Sequence, residues 1–182
     1  MYQHHILILR NNSMDIKLKN VKYIASMSEE THCFTASVYI DGVKAGEVSN
    51  RGHGGPNEFR PDAVRETIDA YAKTLPPIKC SFKDKDGKDV EMDVCSEIII
   101  GDLMNDHLAE KDLKRIITTR IAFTRVGEKG VYETNIIIKA RLAVLLQNPD
   151  KIKEQFKNVE QILNLLPFDE ALKVFKSHNG IE

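Results

Sequence analysis

The stretch that most constrains the fold is the alternating run Cys33–Ile40, followed by Asp41-Gly42 and a return segment Val43–Ser49. Side chains on a strand alternate between two faces. Phe34, Ala36, Val38 and Ile40 therefore share one face, and Cys33, Thr35, Ser37 and Tyr39 share the other. A two-residue hairpin needs positive φ at both central positions, which Asp-Gly accommodates. The segment predicts a β-hairpin with one apolar face, and that face needs a cover. Residues 61–75 supply it: Val64, Ile68, Tyr71 and Leu75 recur at helical spacing. Pro61 suits the first turn, Asp62 complements the helix dipole, and Pro76-Pro77 ends the helix.

The flanking segments repeat this logic. Residues 15–26 predict a first strand whose apolar phase shifts near Lys19-Asn20, the mark of a β-bulge. Residues 78–94 predict a second hairpin around a charged turn. Residues 96–118 predict helix with a break near Ala109. A third hairpin is expected at about 118–139, turning at Gly127-Glu128-Lys129-Gly130 and returning through Ile136–Ile138. Residues 140–147 fit strand or short helix. Helices are predicted at 150–164 and 168–177, with an apolar face that suits a core or a surface for a partner or a second copy, so a homodimer stays open. The expected class is α+β: antiparallel hairpins packed against several helices, with a helical C-terminus. Residues 14–182 read as a single domain, with soft boundaries near residues 76 and 148. Met1–Ser13 reads as a flexible extension ahead of a start at Met14, or as an added segment carrying His4-His5.

Charge and cysteine content narrow the partners. The net charge is −1 over 182 residues, so nucleic acid would have to be met by a local basic patch. The three cysteines lack Cys-x-x-Cys spacing, which fits reduced thiols in a cytoplasmic protein. No apolar run is long enough to span a membrane.

The unusual chemistry sits in the loop Asn50–Asn57, reading N-R-G-H-G-G-P-N. Gly52, Gly54 and Gly55 suit a tight connection with positive φ. They also suit close approach of backbone N–H groups to an anion, with Arg51, His53 and Arg60 adding charge and Asn57 a hydrogen bond. A third reading is a loop that contacts protein. The spacing matches neither the dinucleotide fingerprint nor the phosphate-binding loop of nucleotide triphosphatases. His32 and His53, with Glu29 and Glu30 nearby, make a weak case for a metal or an acid–base pair, because no third ligand is defined. Cys33 and His32 are strand neighbours on opposite faces, which argues against a nucleophile–base pair. No metal and no cofactor are expected. The candidate partner- or phosphate-binding residues are Arg51, His53, Asn57 and Arg60, and no catalytic residue is assigned.

The run from Ser28 to Asn57 resembles small proteins carried by phages and other mobile elements of gut bacteria. Within that group it is similar to the Cas9-inhibiting (type II) anti-CRISPR proteins of this size class, over about the first third of the chain. The resemblance implies a protein of the bacterial cytoplasm that binds Cas9 or its guide-RNA complex, contacts or imitates DNA, and blocks target engagement. The alternative expectation is a phosphodiesterase or nuclease, or a phosphate-binding accessory protein of a phage. Enzymatic activity stays open, leaning to none.

Overall fold

The computed structural model describes residues 13–181, so all but Ser13 of the expected N-terminal extension lies outside the described residues. The chain is α+β. Among the described residues its strands form three antiparallel sheets, of four, two and three strands. The described residues form two compact units that divide after Met104, within a helix.

The first unit is built on the expected hairpin. β1 (Ile16–Tyr23), β2 (Cys33–Ile40), β3 (Val43–Arg51) and β4 (Glu58–Arg60) lie side by side in that order. Asp41 (φ 49°) and Gly42 (φ 83°) take the left-handed conformations that the turn demands. The β1–β2 register slips between Lys19 and Lys22, where Asn20 adopts φ 55°. Asparagine tolerates that region better than most residues, so the bulge sits where the phase shift predicts it.

One face of this sheet is apolar and covered. Phe34, Ala36, Val38, Val48 and Phe59 pack with Val64 and Ile68 of α1 (Ala63–Ala72) and with Ile100 and Met104. Val38 and Ile68 are fully buried, each stabilising the fold by about 2 kcal/mol through area removed from water. The helix expected at 61–75 spans Ala63–Ala72: Pro61 and Asp62 precede its first turn, and residues 73–75 lie past its end. β4 joins the sheet beside β3 just ahead of it. β5 (Ile78–Lys83) and β6 (Asp89–Met92) form the second hairpin.

α2 (Ser96–Thr119) is one unbroken helix, which corrects the expected break at Ala109. Its apolar face changes phase between Met104 and Ala109 without interrupting the backbone. Ile100 and Met104 belong to the first unit's core, while Ala109, Leu113 and Ile116 belong to a different apolar cluster. The backbone N–H of Ser96 donates to Asp69 Oδ1 at 2.7 Å, so an α1 carboxylate satisfies a donor at the start of α2.

The second unit departs further from expectation. β7 (Ala122–Arg125) pairs on one side with β8 (Tyr132–Glu133) and on the other with β9 (Val159–Ile162). The run Ile136–Ile138 does not return as a strand, and Ile136 and Ile138 stay exposed. α3 (Lys139–Leu146) and α4 (Pro149–Gln155) follow, so the helix expected at 150–164 ends early. Asn158 adopts φ 59° and turns the chain back, and its carbonyl accepts from the Val126 N–H at 3.0 Å. Ile162 is then buried opposite Phe123. α5 (Phe168–Asn179) closes the unit through Ala171 and Phe175, close to its expected position.

A half-buried asparagine fastens the end of α2 to this sheet. Asn164 Nδ2 donates to the carbonyls of Ile117 (3.0 Å) and Arg120 (2.8 Å), and Asn164 Oδ1 accepts from the Ala122 N–H at 2.8 Å. Orphan carbonyls at a helix end are thereby satisfied. Asn164→Ala is expected to lower stability by about 2 kcal/mol, because several backbone groups lose their partner together. Denaturant unfolding followed by circular dichroism measures it; a loss below about 0.5 kcal/mol would mean that water replaces the amide without cost.

Candidate functional site

The loop between β3 and β4 is closed by its own hydrogen bonds. Asn50, 7% exposed, stands at its centre. Its Nδ2 donates to the Gly55 carbonyl (2.9 Å) and to Asn57 Oδ1 (3.1 Å). Its Oδ1 accepts from the Thr31 hydroxyl (2.8 Å) and the Gly52 N–H (2.9 Å). The Gly52 carbonyl accepts from three consecutive N–H groups, those of Glu29 (3.0 Å), Glu30 (3.0 Å) and Thr31 (3.3 Å). Convergent backbone N–H groups of this kind form anion-binding concavities in many proteins. Here the Gly52 carbonyl oxygen occupies the concavity. The Gly54 N–H donates to Thr31 Oγ1 at 3.3 Å. The geometry is that of a tight connection with positive φ at Gly52 and Gly54.

The four residues singled out in the sequence do not converge. Asn57 is turned inward and buried. Its N–H donates to Glu97 Oε2 (3.0 Å), and its carbonyl accepts from Arg65, which lies 3.6 Å from Glu97 and over the Phe59 ring. His53 stays on the loop, with Nδ1 at 3.1 Å from Glu29 Oε2. Arg51 and Arg60 lie apart from it, on the uncovered face of the sheet. Among the described residues no group of three or more histidines, cysteines or carboxylates is placed to hold a metal ion.

That uncovered face is the better-formed feature. The register sets Lys22, Thr35, Ser49 and Glu58 in one cross-strand row and Lys19, Ser37, Glu47 and Arg60 in the next. A third row holds Lys17, Tyr39 and Lys44. Lys22 reaches this face because the bulge at Asn20 reverses the alternation. Between the first two rows lies an open depression of about 370 Å³, floored by Thr35, Ser37 and Ser49 and walled by Lys22, Arg60, Glu47 and Glu58. Asn20 Nδ2 reaches the buried Ser37 hydroxyl at 3.5 Å.

Charge on this face is unevenly compensated. Lys17 pairs with Asp15 (2.6 Å), Lys44 with Glu47 (3.2 Å) and Arg51 with Glu58 (3.2 Å). Lys19 lies over the Tyr39 ring, its ammonium 4.1 Å from the centroid. Among the described residues neither Lys22 nor Arg60 is held by a carboxylate, although both are exposed. Sequence reasoning reached Arg60 but missed Lys22, Thr35, Ser37 and Ser49. The alternation of lysines along β1 was the available signal; the pairing with β4 that brings Arg60 opposite was not.

No protein-family model matches the chain, and no match was found among the curated proteins or the solved structures. Among the described residues no helix is long and apolar enough to cross a membrane.

Proposed function

We propose that the chain is a binding protein that inhibits a host defence nuclease: an anti-CRISPR protein that binds Cas9 or its guide-RNA complex and blocks target DNA engagement in the bacterial cytoplasm. The observation that supports this reading is the uncovered face of the four-stranded sheet, where Lys22 and Arg60 flank a floor of hydroxyls. Basic side chains and hydroxyls are the groups that meet phosphate backbones, and such contacts position a protein without reading sequence. On a chain with net charge −1, this face supports the reading as a local patch: Lys17, Lys19, Lys22, Lys44, Arg51 and Arg60 share it with Glu47 and Glu58. The resemblance of the Ser28–Asn57 run supplies the nuclease; the sheet face supplies the phosphate chemistry.

The test is a target-cleavage assay with purified protein against several Cas9 orthologues, alongside co-elution. Inhibition and co-elution with at least one orthologue are expected. Absence of both across the panel removes Cas9 as the target. Lys22→Glu with Arg60→Glu is expected to weaken duplex DNA binding at least tenfold and to shallow its salt dependence by about two phosphate contacts, with an unchanged melting temperature. Equal DNA affinity in the double variant would remove the sheet face from the mechanism. Incubating DNA and guide RNA with the protein, with and without Mg²⁺ or Mn²⁺, separates the nuclease alternative: new cleavage products would favour it.

A further inference from the structure

The second unit carries a cleft that the sheet face does not involve. It is open to solvent on one side and has a volume of about 440 Å³, within the range of small-ligand sites. Leu108 and Ile116 from α2, Val131 ahead of β8, and Phe175 from α5 give it an apolar floor. Its edge carries Asp112 and Glu133. Every charged side chain lining the cleft, among the described residues, is a carboxylate. Asn179 also lines it; its Nδ2 donates to the Phe175 carbonyl at 2.9 Å, which leaves the side-chain oxygen as an acceptor. An apolar floor under an edge of acceptors has a specific complement. A ligand needs an aliphatic stem, to lie against Leu108, Ile116 and Phe175, and a cationic head carrying N–H donors.

We propose that this cleft receives a lysine side chain of a partner protein's basic segment. The four-carbon stem covers the floor and the ammonium sits between Asp112 and Glu133, as such side chains do wherever stem and head meet different surroundings. Neither carboxylate is saturated. Asp112 lies 3.6 Å from Arg115 on an exposed helix surface, and Glu133 uses one oxygen on Arg120 at 2.5 Å. The volume suits one side chain and its immediate neighbours, not a whole helix or strand.

Methyl-labelled full-length protein, titrated with short synthetic peptides and watched by NMR, tests this. A capped peptide of one lysine between two valines is expected to shift the methyl signals of Leu108, Ile116 and Val131. The norleucine analogue, equal in stem but lacking the charge, is expected to bind at least fivefold more weakly. Asp112→Asn changes an exposed side chain and is expected to weaken the lysine peptide about fivefold, the worth of about 1 kcal/mol. No shift of these methyls at millimolar peptide overturns the proposal. Equal binding of the lysine and norleucine peptides does so too, because the cleft is then only apolar surface. Butylammonium binding as tightly as the peptide overturns the protein partner and leaves a site for a free amine.

Discussion

Gly52→Ala is expected to destabilise the first unit by about 4 kcal/mol, the largest single loss available in the loop. Gly52 has φ +87°, a region that alanine enters only with strain. A Cβ there would stand 2.0 Å from the Met27 carbonyl oxygen and 2.9 Å from Cys33 Cβ. Neither neighbour can retreat cheaply, since one is backbone and the other belongs to a buried strand residue. Moving Gly52 would also break the three N–H contacts that converge on its carbonyl. Gly55→Ala, three residues on, is the matched control. A Cβ at Gly55 meets nothing within 4 Å, and its cost should stay within about 0.5 kcal/mol. Urea unfolding followed by tyrosine fluorescence and circular dichroism reads both, the chain having no tryptophan. Equal midpoints for the two variants would show that the loop takes up a methyl group at Gly52 without strain.

The second large effect is expected at Asn50. Replacing it by alanine removes a side chain that makes four hydrogen bonds in a nearly closed site. The Gly52 N–H and the Gly55 carbonyl are left without that partner, and a loss of about 3 kcal/mol follows. Asn57→Ala should cost less, about 1 kcal/mol, because its side chain enters the network only as an acceptor for Asn50. The double variant should cost less than the two losses added, by at least about 0.5 kcal/mol, as groups in one network couple. Strict additivity would separate Asn57 from the clamp and return it to the list of partner-contacting residues. Neither substitution touches the sheet face, so residual folded protein should keep its DNA affinity if Lys22 and Arg60 carry it.

The hairpin was legible because its information is local. Phe34, Ala36, Val38 and Ile40 alternate without exception, and Asp41-Gly42 names its own turn. The bulge at Asn20 was legible for the same reason: the apolar phase shifts within a few residues. β9 was not. Val159, Ile162 and Leu163 stand at helical spacing, and only their pairing with Phe123 and Arg125, more than thirty residues earlier, makes the segment extended. α2 misled in the opposite direction, because a change of apolar phase on a helix looks like an interruption until both cores are known. The loop shows the limit at the candidate site. Its glycines announced an unusual backbone, but the residue that organises it is Asn50, an ordinary polar side chain at the end of a strand. Asn57 looked available for a partner and is instead buried between Asn50 and Glu97. The Lys22–Arg60 depression needed three facts together: the bulge, the β2–β3 register and a short β4 that no periodicity reveals.

Asn164 carries a consequence for how the polypeptide matures as it leaves the ribosome. Everything the first sheet needs has been synthesised by Met104, and its hairpin contacts join near neighbours in the chain. The second unit cannot settle on that schedule. β7 emerges early, yet its partner β9 and its clamp Asn164 follow about forty residues later, and Phe175 later still. Until then the Ile121–Phe123 segment lacks its cover. Distant closures of this kind are slow relative to hairpins. Chains halted between residues 125 and 160 should therefore present a finished N-terminal sheet beside a sticky, protease-sensitive remainder. Limited proteolysis of stalled nascent chains would locate the position at which protection arrives.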